Sequence, residues 1–149
     1  MALLYGKYSV SLDPKGRMAI PTLHRNLFPE DQRDTIIITR GSSNYISGYY
    51  KSSWDEFIEK IMSFKTSFNN RQRLKRQFIG RCHFIKFDKL GRITLPADLI
   101  EYAKLEGSSE AFVIGCDDAI EIWNPKIYKT DSDESEEFVQ GVLNEILMD

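Results

Sequence analysis

The chain is poor in the residue types on which most catalytic and metal sites draw. Its 149 residues hold two histidines, His24 and His83, and two cysteines, Cys82 and Cys116. The cysteines match no metal-ligand or redox spacing and are too few for a disulfide scaffold, so both are expected to be reduced packing residues. The histidines have no acid, base or nucleophile at a recognisable spacing, and no Gly-rich phosphate loop or metal-ligand cluster occurs. Enzymatic chemistry is disfavoured, and no metal, cofactor or small-molecule ligand is expected. Apolar runs are short, none approaching the ~20 residues of a membrane-spanning helix. The segment Met1 to Lys7 lacks the apolar core and cleavage site of a signal peptide. A cytoplasmic chain without a membrane partner is the expectation.

A net charge of −2 conceals an uneven distribution. Residues 131–149 carry seven acids (Asp131, Asp133, Glu134, Glu136, Glu137, Glu145 and Asp149) and no Lys or Arg, which leaves +5 on residues 1–130. Between Arg71 and Arg92 eight Lys or Arg face the single Asp88. A basic body with an acidic tail suits a polyanionic partner. Solvated faces that only keep the protein soluble explain the same charges equally well. The ordinary apolar content, 42%, fits one compact domain or two small halves sharing a core.

What the chain does have is one turn used twice. Asp13-Pro14-Lys15-Gly16-Arg17 recurs 75 residues later as Asp88-Lys89-Leu90-Gly91-Arg92. Tyr8, Val10 and Leu12 alternate with Lys7, Ser9 and Ser11, the period of a half-buried strand. Asp13 and Pro14 suit turn initiation, and Gly16 supplies the positive φ by which the turn rejoins a strand. Met18 and Ile20 continue the returning strand, and Pro21 opens a short helix from Thr22 to Leu27. The β-branched run from Thr35 to Thr39 predicts a fully buried strand, and Tyr45 to Tyr49 another. The second copy runs through Cys82–Phe87, Ile93–Leu95, a helix from Pro96 ended by Gly107, Ala111–Gly115 and Ala119–Trp123. Gly80 to Asp88 is one residue longer than Gly6 to Asp13, and the apolar phase slips between Phe84 and Ile85. A β-bulge is predicted there.

Between the copies, Ser53 and Glu56 form a capping-box pattern for a helix reaching about Lys65. Arg71 to Phe78 follows as a basic helix anchored by Leu74 and Phe78. Asp131 to Glu137 is an acidic linker or helix start. Phe138, Val139, Val142, Leu143 and Ile146 mark one face of a terminal helix. The expected organisation is a repeat over 5–52, a helical connector over 53–79, a second repeat over 80–126 and an acidic C-terminal tail or helix over 127–149. The fold class expected is α+β and β-rich, with the two repeats closing into one pseudo-symmetric, β-barrel-like core with peripheral helices.

With both Asp-x-x-Gly-Arg turns, their apolar flanks, the proline after each, and the Ile-Glu-Ile-Trp stretch Ile120 to Trp123, the chain closely resembles the MraZ family over nearly its full length. That resemblance implies two tandem AbrB-type swapped-hairpin modules. It implies a sequence-specific DNA-binding transcriptional regulator that recognises promoter direct repeats of its own operon, in the bacterial division and cell-wall gene cluster. It further implies ring-shaped homo-oligomers and association with the nucleoid. Carried over by motif, the residues that meet double-stranded DNA are Lys15 and Arg17, with Lys89 and Arg92 in the second copy. Gly16 and Gly91 would shape the turns. Asp13 and Asp88 would repel phosphate, and are expected to pair with Arg or cap the turn's own N–H groups. Arg offers bidentate bonding to guanine or phosphate, Lys a point charge, and a β-ribbon fits the major groove. Against this stands a purely structural role, each Asp–Arg pair stapling its own turn, and both hairpins need not face DNA. The alternative function is a non-enzymatic, oligomeric protein- or RNA-binding module using the same basic turns.

Overall fold

The computed structural model describes residues 3–148; Met1, Ala2 and Asp149 lie outside them. Strand β1 (Lys7–Ser11), the first turn and β2 (Arg17–Ala19) are followed by α1 (Thr22–Leu27), β3 (Thr35–Arg40) and β4 (Ile46–Tyr49). Helices α2 (Lys51–Ser63) and α3 (Phe68–Leu74) and a π-helical turn, Lys75–Ile79, lead to the second copy: β5 (His83–Lys86), β6 (Arg92–Thr94), α4 (Ala97–Tyr102), β7 (Glu110–Cys116) and β8 (Ala119–Trp123). A final helix, α5, spans Pro125–Met148.

Six strands form one antiparallel sheet in the order β1-β7-β8-β4-β3-β5. The two hairpins of buried, β-branched sequence lie at its centre, joined where β4 meets β8. The outer strand on each side comes from the other copy: β1 pairs with β7, and β5 with β3. Both faces of the centre are covered, which is why Ile36, Ile37 and Ile38 are all buried. Ile36 and Ile38 join the main core with Met18, Ile20, Ile93 and Leu95. Ile37 turns to the opposite face, where Tyr49 and Trp54 bury it with Phe57 and Ile58 of α2. Full burial of such a side chain stabilises by about 1.5–3 kcal/mol.

Several expectations need correction. The strands do not close into a barrel among the described residues. β2 and β6 form a separate two-stranded ribbon, tied to the turn of the first hairpin by the isolated bridge Leu12–Met18. Each short returning strand leaves its own partner and pairs with the other copy, so the ladder is interrupted at both hairpins. Nor is the fold β-rich: helix, at 44%, exceeds strand, at 27%. The difference lies largely in α5, which runs without a break through Asp131–Glu137, where the sequence also allows a linker. Lys129 reaches Asp133 at 3.2 Å one turn on, and solvated carboxylates on a helix surface do not interrupt its backbone.

The bulge is absent too. β5 pairs with β3 in unbroken register, from Thr35–Lys86 to Ile38–His83. Phe84 is simply an apolar residue on the exposed side, with Ile85 turned to the core. The additional length falls before the strand: β1 starts directly after Gly6, whereas Arg81 and Cys82 separate Gly80 from β5. α2 begins at Lys51, and Ser53 is not its cap. Instead Gln32, twenty residues earlier, accepts from the Ser52 N–H at 2.8 Å and its hydroxyl at 2.9 Å, serving one of the orphan donors at the helix start. α4 ends at Tyr102, before Gly107, because Lys104 already takes a positive φ of 55°.

Candidate nucleic-acid interface

The two turns have the same hydrogen-bond plan. In the first, one Asp13 carboxylate oxygen accepts from the backbone N–H of Lys15 at 2.9 Å and of Arg17 at 2.8 Å. The other oxygen accepts from Arg17 Nε at 2.6 Å. In the second, Asp88 accepts from Leu90 N–H at 2.8 Å, Arg92 N–H at 2.9 Å and Arg92 Nε at 2.9 Å. The N–H groups of Gly16 and Gly91 close each loop onto the Asp carbonyl, at 2.9 and 3.0 Å. Both glycines sit at positive φ, 79° and 75°, where a Cβ is disfavoured.

These contacts set the protonation state. Both carboxyls titrate below the ordinary Asp value, chiefly through the backbone N–H of the arginine four residues on, helped by its side chain. They are anionic at neutral pH, and exposed pairs of this kind contribute little to stability by themselves. Their consequence is positional. Each arginine is held through Nε alone among the described residues, so its Nη1 and Nη2 donors remain unassigned. Those are the donors that a guanine edge or a phosphate engages.

The β2–β6 ribbon brings the two arginines together. Its register is Arg17–Thr94, Met18–Ile93 and Ala19–Arg92. Met18 and Ile93 are buried, and alternation along a strand puts Arg17, Ala19, Arg92 and Thr94 on the opposite, outer face. Arg17 and Arg92 are diagonal neighbours there, about 7–8 Å apart at Cα. Leu95 N–H bonds the Gly16 carbonyl at 2.8 Å, and Ile20 N–H the Gly91 carbonyl at 3.2 Å. Each turn is thereby fastened to the strand end of the other copy, and the turns flank the ribbon about 13 Å apart at ~3.3 Å per residue. Lys15 and Lys89 are both exposed on the turns.

One further basic residue belongs to this surface, although nothing in its own segment singles it out. Arg25 of α1 donates through Nε to the Ile20 carbonyl at 3.0 Å and through Nη2 to Thr22 Oγ1 at 3.1 Å. Its guanidinium covers Gly91, where a methyl would lie 2.5 Å from the guanidinium carbon. The counterpart 75 residues on is Ile100, whose Cδ1 lies 3.0 Å from the corresponding methyl position on Gly16. The second turn therefore has an added cation beside it where the first has an aliphatic side chain. Aligning the two copies exposes the signal, an Arg in one standing where the other has an apolar contact.

Elsewhere the chemistry is sparse. His24 is buried, its Nε2 2.8 Å from the Tyr5 carbonyl and its ring edge-on to Tyr8. His83 Nε2 lies 3.3 Å from Asp98, at an exposed pair beside a hollow of about 520 Å³ that Arg40, Arg81, Asp98 and Glu101 help to line. Burial raises both cysteine thiols, Cys116 to about 11, so neither is an activated thiolate. Among the described residues no His, Cys, Asp or Glu cluster suits a metal ion, and no helix is long and apolar enough to cross a membrane. A family model described as "MraZ protein, putative antitoxin-like" matches the chain twice in tandem, over residues 3–77 and 78–145.

Proposed function

The chain belongs to the MraZ family, and from that premise we propose that it is a sequence-specific DNA-binding transcriptional regulator acting on the promoter of its own operon. The observation that carries this is the outer face of the β2–β6 ribbon, where Arg17 and Arg92 stand side by side, each oriented by its own aspartate. The ribbon enters the major groove and the arginine Nη groups bond guanine O6 and N7 or adjacent phosphates. Lys15, Lys89 and Arg25 contact the flanking phosphates. The exchange of outer strands between the copies supports the view that they are swapped-hairpin modules. A homo-oligomeric ring presents several ribbons to one DNA segment, and direct repeats spaced by about one helical turn (~34 Å) are bound with the avidity of multiple linked sites. Association with the nucleoid follows.

The test is a gel shift with duplex DNA from directly upstream of the gene, competed by shuffled duplex and by RNA. Specific retardation, lost in Arg17→Ala and in Arg92→Ala with the oligomer intact, is the expected result. Retention of specific binding by both variants would remove the ribbon face from the mechanism. Equal competition by RNA would favour a non-enzymatic, oligomeric RNA-binding module using the same turns.

A further inference from the structure

α5 is anchored only near its start. Tyr128 lies edge-on to Phe112 at 5.7 Å and to Trp123 at 5.5 Å, but from Glu136 to Met148 every residue is exposed. Phe138 and Ile146 are 73% and 61% exposed. At about 100° per residue, Phe138, Val139, Val142, Leu143, Ile146 and Leu147 occupy one half of the helix circumference. Glu136 and Glu145 stand at or beside its two borders. A helix of this kind, with Gly141 lowering its propensity, gains most of its stability from packing its apolar face.

The corner between α2 and α3 has the complementary character. It exposes Met62, Phe64 and Phe68, the last two by 61% and 74%. Residues 64–81 contain no acid, whereas residues 131–149 contain no Lys or Arg. Arg71 is occupied in tying α3 to the carbonyls of Ile61 and Met62, at 3.4 and 2.6 Å. Arg73 and Arg76 are exposed, and neither has an ion-pair partner among the described residues. Within one chain α5 leaves this corner uncovered: residues 136–148 are exposed, and so are Met62, Phe64 and Phe68.

We propose that α5 of one copy of this chain docks on the α2–α3 corner of a second copy, its apolar stripe on Met62, Phe64 and Phe68 and its bordering acids toward Arg73 and Arg76. Donor and acceptor are different surfaces of the same chain, so the contact is head-to-tail, the kind that builds a ring where its rotation closes. It rests on the self-assembly part of the proposed function and specifies the surfaces that produce it. An α5-to-α5 contact would set like charges against each other and would ignore α3.

The test measures the mass of the full-length protein in solution by size-exclusion chromatography with light scattering. The wild type is expected to run as a multimer. E136K/E145K and R73E/R76E should each shift the population to single-chain mass, raising the concentration needed for assembly at least ten-fold. The four-substitution variant should regain assembly, which also shows that the exposed substitutions leave the fold intact. Wild-type assembly by R73E/R76E overturns the proposal while leaving self-assembly standing, and so does a four-substitution variant that stays dissociated. A monomeric wild type overturns both; DNA retardation is scored separately.

Discussion

Replacing Arg17 by Lys separates base reading from charge. Arg17 Nε donates to Asp13 at 2.6 Å, which fixes the guanidinium plane and leaves its two terminal nitrogens to act as a fork. Lys keeps a point charge but has no fork and no second nitrogen to anchor on the aspartate. The turn itself should persist, because Asp13 still accepts the backbone N–H groups at positions 15 and 17. A bidentate Arg–guanine pair provides about 1–3 kcal/mol of discrimination. At ~1.4 kcal/mol per factor of ten, the ratio of operator to scrambled-duplex affinity should fall roughly 5- to 150-fold. The slope of log affinity against log salt, ~0.9 per neutralised phosphate, should stay the same because the charge stays. Fluorescence anisotropy on both duplexes at several salt concentrations measures the two quantities together. An affinity ratio within about two-fold of wild type would refute base reading by Arg17 and leave it as a charge or a turn staple.

Two further outcomes follow from the site. Arg25→Ile, which copies the residue in the equivalent position of the other half, should lower the salt slope by ~0.9, and Ile100→Arg should raise it by a similar amount; unchanged slopes in both would exclude a phosphate contact beside either turn. Asp13 and Asp88 titrate below their ordinary value in the folded chain, so the stability they contribute is fully present above the unfolded Asp pKa of about 3.9 and is lost as pH falls from there through the lower folded values. Thermal melting should show a loss below about pH 4 that is smaller in D13N/D88N, and parallel melting curves for the two proteins would contradict the assignment.

Local features are legible in the sequence. α1 occupies Thr22–Leu27, the span that the proline and its flanks imply, and the twin turns lie where the repeated motif stands. Non-local features are not. A capping box is a four-residue pattern and points to Ser53 as the cap of α2, but the bonds come from Gln32, which only the packed chain brings near. The exposed Phe84 imitates a bulge, since periodicity cannot tell an apolar residue facing solvent from a shifted register. For α5, the acidic run leaves linker and helix both open, because its composition carries neither a breaker nor a buried face.

By itself the sequence determined the shape of each Asp-x-x-Gly-Arg turn, because everything that closes it lies within five residues: an aspartate to accept two N–H groups, a glycine for positive φ, an arginine to bind back. Tertiary structure alone decided that two such turns form one surface. Met18 and Ile93 are far apart in the chain, and burying them together pairs β2 with β6. Strand alternation then obliges Arg17 and Arg92 to share the outer face. No local pattern encodes that pairing, since its driving force is the common core beneath the ribbon.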